Sequence, residues 1–122
     1  MNKEELLKMI EKQMGVVPKP LKDLSELSMN ALNGHLVGKK NAYAGESLDQ
    51  KTKALIALAV GIAIDSQGCI MNNIKEAKKF GATIEEIMEV FSIAKFSKSS
   101  SAISGFASAM EWLVNNKEEM NK

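Results

Sequence analysis

"KALIALAVGIAIDSQGCIMNN", residues 53–73, decides the fold of this chain. From Ala54 to Ile64 eleven apolar or small residues run without a charge, bounded by Lys53 and Asp65. A membrane span needs roughly 18 or more, so the run reads as a helix of a folded domain. Apolar side chains that continue around a helix need cover on every side. Such a helix belongs at the centre of a bundle or in an oligomer interface. Asp65 and Ser66 interrupt the pattern, and a second helix is expected over residues 67–80, stopped by Gly81 at the left-handed position past its end.

Working outward, Ser47 and Gln50 have the spacing of a capping box, which puts the start of the apolar helix near residue 48. On the C-terminal side "TIEE" gives another box, Thr83 with Glu86, ahead of Ile84, Ile87, Met88, Phe91 and Ile93 at helical spacing. A last helix is expected from about Ser100 to Asn116, carrying Ile103, Phe106, Met110 and Leu113 on one face. The hydroxyl-rich "SKSSSAISG" reads as its capped start rather than an anion site, with Ala102, Ser104, Gly105 and Ala109 permitting close packing.

Toward the N-terminus, Pro18 and Pro20 in "GVVPKP" end a first amphipathic helix near Met14 and set an extended connector. "PLKDLSELSMNAL" then spaces Leu21, Leu24, Leu27 and Leu32 for a helix. Gly34, Gly38 and Gly45 predict a bend or a frayed helix after it. No strand alternation and no internal repeat is present. The expected fold is all-α, a compact bundle of about six helices forming a single domain over residues 1–122.

Composition narrows the function. The 122 residues are 45% hydrophobic and 25% charged, with a net charge of +1; they suit one soluble domain with its own core. Mixed Lys and Glu give no electrostatic footprint for nucleic acid and no basic face for a lipid surface. The single cysteine excludes an intrachain disulfide, and "MNKEELLKMIEKQM" has no apolar signal core. A cytoplasmic protein is expected. Metal binding has no support, since Cys69 and His35 are the only thiol and imidazole, and no cofactor is expected.

The candidate chemistry lies in "DSQGCIMNN". If Ser66 caps the second helix, Cys69 falls in its first turn, where unpaired amides and the positive end of the dipole favour a thiolate. The competing reading is a small hydrophobe filling the core, because unreactive cysteine is among the most buried residue types. Of the remaining features, His35 in "NGHLVG" reads as a surface or structural residue. Glu85, Glu86 and Glu89 need no more than capping or solvated roles. The eight methionines read as core filler.

Residues 48–90, "LDQKTKALIALAVGIAIDSQGCIMNNIKEAKKFGATIEEIMEV", resemble the carboxymuconolactone decarboxylase and alkylhydroperoxidase D-like family. That family's pattern runs L-D, an apolar helix, C-x-x-C-x-x-x-H, an alanine-bearing helix, G-A-T and E-E-I. "GVVPKPLKDLSEL" and the small-residue stretch near the C-terminus are also similar to family members. The resemblance implies a helical domain assembled into homotrimers or homohexamers. In the redox branch it implies a cysteine pair that reduces peroxides or a partner's disulfide, with a histidine and an upstream glutamate relaying protons.

Carried over by position, the first cysteine falls on Ser66, the second on Cys69, the histidine on Asn73 and the glutamate on Ala54. Serine cannot join a disulfide, asparagine is no base near neutral pH, and alanine offers no proton. The expected function is therefore an antioxidant-type protein with a degenerate site made of Cys69, Ser66 and Asn73. A small-molecule peroxide and an external thiol donor are its expected partners. Two alternatives stand beside it: a non-catalytic oligomeric scaffold or small-ligand binder, and a decarboxylase-type proton-transfer enzyme. The second needs a histidine near position 73, where this chain has Asn73.

Overall fold

A computed structural model describes all residues, 1–122. Eight helices and no strand make up the chain, which divides into two compact units, Met1–Asp49 and Gln50–Lys122. The all-α expectation holds, and the helix count is higher than expected because the second expected helix divides at Ser28 and a short helix, Lys117–Met120, follows the last one.

In the first unit α1 spans Lys3–Met14, α2 Lys19–Leu27 and α3 Met29–Ala42. A capping box that the sequence reading did not single out starts α1: the Asn2 side chain accepts from the Glu5 amide, and Glu5 accepts in return from the Asn2 amide. The helix stops on Gly15 at φ +82°, three residues ahead of Pro18. Glycine ends the helix, and the prolines instead open the next one, with Pro18 as cap and Pro20 in the first turn. Ser28 separates α2 from α3 and caps α3 by accepting from the Ala31 amide at 3.1 Å. The bend expected around Gly34 and Gly38 is absent, for α3 runs through both. Leu6, Ile10 and Leu32 form the buried core here, with Leu21, Leu24 and Leu36 packed against it.

The second unit contains α4 (Gln50–Ala63), α5 (Gln67–Lys79), α6 (Ile84–Gly105), α7 (Ala107–Asn115) and α8 (Lys117–Met120). The α4 helix begins at Gln50, so Asp49 rather than Ser47 precedes its first turn. It packs against both α5 and α6 and buries Ala54, Leu58 and Gly61, one line at spacings of four and three. Ile56, Val60 and Ile64 remain about half exposed or more. Within their own unit, α5 and α6 cover one side of α4 and leave this line uncovered.

The end of α5 follows the sequence closely. Gly81 adopts φ +89°, and the Ala82 amide reaches back to the Ala77 carbonyl at 2.9 Å, the closure a left-handed glycine permits. Thr83 and Glu86 form the full capping box of α6. From there the structure departs from expectation. The serines thought to begin a last helix lie inside α6, which continues to Gly105. Serine hydroxyls can bond the carbonyl a turn back and stay helical; Ser92 Oγ does so to Met88 and Ser101 Oγ to Lys98. The break falls instead at Phe106, and Ala102, Ser104, Gly105 and Ala109 are exposed rather than closely packed. No helix is long and apolar enough to cross a membrane.

Candidate functional site

The turn between α4 and α5 builds the candidate site. Asp65 takes a left-handed conformation, φ 57°, which costs a non-glycine residue roughly 1–2 kcal/mol, least for Asn and Asp. In this conformation the Ser66 amide folds back to the Gly61 carbonyl at 2.9 Å. Lys98 on α6 pairs with the Asp65 carboxylate, tying the turn to the middle of the long helix.

One residue later the chain starts α5. Ser66 is the N-cap, as its place before the helical pattern predicts, and its hydroxyl accepts from the Cys69 amide at 3.4 Å. Cys69 therefore sits in the first turn. Its side chain is exposed, so the core-filler reading of this cysteine fails. A turn further on, Asn73 is half-buried and donates from Nδ2 to the Cys69 carbonyl at 2.8 Å. The amide is thus committed to the backbone of its own helix.

Gly61 fixes how close this helix start lies to α4. A Cβ built on Gly61 would fall 3.2 Å from the Cβ of Cys69 and 3.3 Å from the Ile70 nitrogen. These are contacts that side chains rarely make, so the missing methyl allows the first turn of α5 to seat against α4. Neither Gly61 nor the Asp65–Lys98 pair stood out in the sequence. The signals were present: a lone glycine inside an apolar helix marks a close approach, and Asp is one of the few residues that visit the left-handed region.

The structure brings Ser66, Cys69 and Asn73 together on the first two turns of α5. Ala54 lies on the neighbouring α4, 3% exposed. His35 is exposed and belongs to α3 of the other unit. No three His, Cys, Asp or Glu side chains gather where they could hold a metal ion. Glu86 combines its capping role with a 2.8 Å ion pair to Lys51 of α4. Its carboxyl is held below the usual carboxylate range by the hydrogen bond from Lys51, then by that from the Thr83 amide.

A family model for the carboxymuconolactone decarboxylase family matches residues 35–112, more than half of the chain. The chain belongs to the carboxymuconolactone decarboxylase family. The matched stretch takes in α4, α5 and the whole of α6, and so the entire candidate site.

Two curated proteins of similar sequence are uncharacterized. The uncharacterized protein 4 in the cox locus of Paracoccus denitrificans is 42% identical over 55 residues, covering 45% of this chain and 50% of the relative. An uncharacterized protein of Methanocaldococcus jannaschii is 33% identical over 55 residues, covering 45% of this chain and 51% of that protein. The chain thus spans about half the length of the curated relatives it matches.

Proposed function

We propose that this chain is an antioxidant-type, alkylhydroperoxidase D-like member of the carboxymuconolactone decarboxylase family that works with one thiol. The observation that carries the reading is the exposed Cys69 in the first turn of α5, behind the Ser66 cap. The residue is open to solvent rather than packed in the core, so small solutes can approach it.

The chemistry open to one thiol is a two-electron cycle. The Cys69 sulfur attacks one oxygen of a hydroperoxide; an S–O bond forms, the O–O bond breaks, and the other oxygen leaves as an alcohol after taking a proton. The sulfenic acid is then attacked by an external thiol, which expels water and leaves a mixed disulfide. A second external thiol releases Cys69 and carries away the disulfide. The cycle calls for a reducing compartment, the cytoplasm, where free thiols are maintained. The same reading takes the working form to be a homo-oligomer, since α5 and α6 leave the Ile56, Val60 and Ile64 line of α4 uncovered.

Asn73 favours a second reading, a scaffold or small-ligand binder that has kept the fold and lost the chemistry. Its amide is spent on the Cys69 carbonyl, and Ala54 brings no proton. Peroxide consumption with a monothiol donor separates the two. Turnover that disappears in Cys69→Ser supports the one-thiol enzyme. Absence of turnover in the wild type, with Cys69 slow toward a thiol probe, supports the scaffold. Turnover surviving Cys69→Ser places the chemistry elsewhere.

A further inference from the structure

Between Lys53 and Lys75 the sequence carries a single charge, Asp65. It stands four residues before Cys69. One chain step of 3.8 Å to Ser66 and a helical turn of about 5–6 Å keep the two backbones within roughly 9 Å of each other. The attacking form of a cysteine is the thiolate, and a bare carboxylate at such a distance opposes the negative sulfur. The carboxylate is not bare. Lys98 of α6, 33 residues further along the chain, donates to it and pairs with it.

The pair does little for the fold. Its side chains are 79% and 45% open to solvent, and exposed pairs of this kind are weak stabilisers. What it does is place a cation at the turn that starts α5. Within the same unit, α4 packs against both α5 and α6, yet its own charges, Lys51 and Lys53, lie in its first turn, roughly 18 Å of helix from Asp65. On α5 the next charges are Lys75 and Glu76, beyond Asn73. Ala54 and Asn73 carry no charge. The side-chain field at the candidate thiol is therefore set first by Asp65 and Lys98.

We infer that Lys98, held at the turn by Asp65, is the positioning residue that controls the reactivity of Cys69. The two charges act in opposite senses on one sulfur: the carboxylate slows its attack and the ammonium offsets the carboxylate. Neither takes part in bond making; they set the field in which the sulfur reacts. Changing either charge alone therefore changes the reactivity of the thiol, and the direction depends on which charge is removed. The inference rests on Cys69 being the working thiol and names what regulates it.

Two single-charge deletions test it, read by the rate at which neutral iodoacetamide alkylates Cys69 at fixed pH and low ionic strength. With one cysteine in the chain, the signal has one source. Asp65→Asn keeps a residue type that accepts the left-handed conformation and leaves Lys98 uncompensated. Lys98→Met keeps an apolar stem on α6 and leaves Asp65 bare. The first variant should react faster than wild type and the second slower, each by about two- to fivefold, and added salt should shrink both differences. A pair that only clamps the turn is broken equally by either change, so both rates would then move in the same direction. That result, or rates unmoved in both variants with helices intact by circular dichroism, overturns the inference. Alkylation needs no turnover. Opposite shifts without peroxide consumption would sink the one-thiol enzyme and keep the charge control, whereas turnover with unmoved alkylation rates would do the reverse.

Discussion

Gly61 of α4 and Cys69 of α5 meet so closely that a methyl group on the glycine would lie 3.2 Å from the cysteine Cβ. The atoms crowding that space are a Cβ and the backbone of a helix start, none of which is the free end of a flexible side chain. Alanine at position 61 gains roughly 0.5–1 kcal/mol of helix preference over glycine, while overpacking a tight site costs about 1–3 kcal/mol. Gly61→Ala should be destabilising by about 1 kcal/mol net, read as a lower urea midpoint with unchanged slope. Gly61→Val, which adds bulk to the same contact, should cost clearly more. A stabilised Gly61→Ala variant would mean that the two helices separate freely and that the glycine does not set the site.

Asp65 is the hinge of the same turn, and its left-handed backbone conformation sets a rank order for substitutions. Glycine removes the conformational cost but loses the Lys98 pair, whose partners are 79% and 45% exposed. Such pairs contribute about 0–1 kcal/mol. Alanine loses the pair and keeps a cost of roughly 1–2 kcal/mol. Thermal melts should therefore place Asp65→Gly near or above wild type and Asp65→Ala below both. Equal melting temperatures for the glycine and alanine variants would show that position 65 is not held left-handed in solution.

Glu86 predicts how stability depends on pH. Its carboxyl titrates below its ordinary value in the folded state because Lys51 and the Thr83 amide hold the charged form. The unfolded chain then binds more protons than the folded one near that pH, so stability rises with pH through this window. The contribution is fully present above the unfolded value of about 4.3 and is lost as pH falls through the lower folded value. Glu86→Gln should be less stable than wild type at neutral pH and should lose less on acidification between about pH 5 and 3. Parallel acid profiles for the two proteins would remove Glu86 from the account. The pair is partly open to solvent, so added salt should shrink the difference.

Local signals account for most of what could be read from the sequence. Thr83 with Glu86, Gly81 and Ser66 each mark a helix end through a hydrogen bond made within a few residues, and the structure contains all three. The misread positions are those where a local signal competes with something less local. Ser47 and Gln50 have the spacing of a box, but α4 starts two residues past the place that box requires. The serine run at 99–101 has cap-forming residues, yet α6 continues through it because nothing stops the ladder before Phe106. Gly34 and Gly38 lower helix preference by roughly 1 kcal/mol each, and α3 holds across them, anchored by the fully buried Leu32. For the site, cysteine statistics pointed to the core, while the first-turn position behind Ser66 pointed to a reactive thiol, and the structure leaves Cys69 exposed.

Restoring the missing thiol is the most direct test of what the α5 start can still do. Cysteine at position 66 would stand where Ser66 now caps the helix, three residues before the exposed Cys69, the C-x-x-C spacing at which redox disulfides form. The exchange removes a cap worth about 1 kcal/mol, which the helix should survive. Ser66→Cys should lose both free thiols on mild oxidation and regain them with a dithiol reductant, whereas wild type should remain poor with dithiol donors because nothing resolves its oxidised sulfur. Asn73→His added to Ser66→Cys frees the Cys69 carbonyl and supplies a base one turn away; where proton transfer limits the rate, turnover should rise by about 10²-fold or more. Ala54→Glu is expected to behave differently, since position 54 is 3% exposed. An unpaired carboxyl there should cost on the order of 3 kcal/mol, so its gain in turnover should come with a lower melting temperature. A Ser66→Cys protein that keeps two free thiols under oxidant, with its helices intact, would show that the start of α5 cannot reach disulfide geometry; the peroxide chemistry proposed for Cys69 would then rest on the single thiol alone.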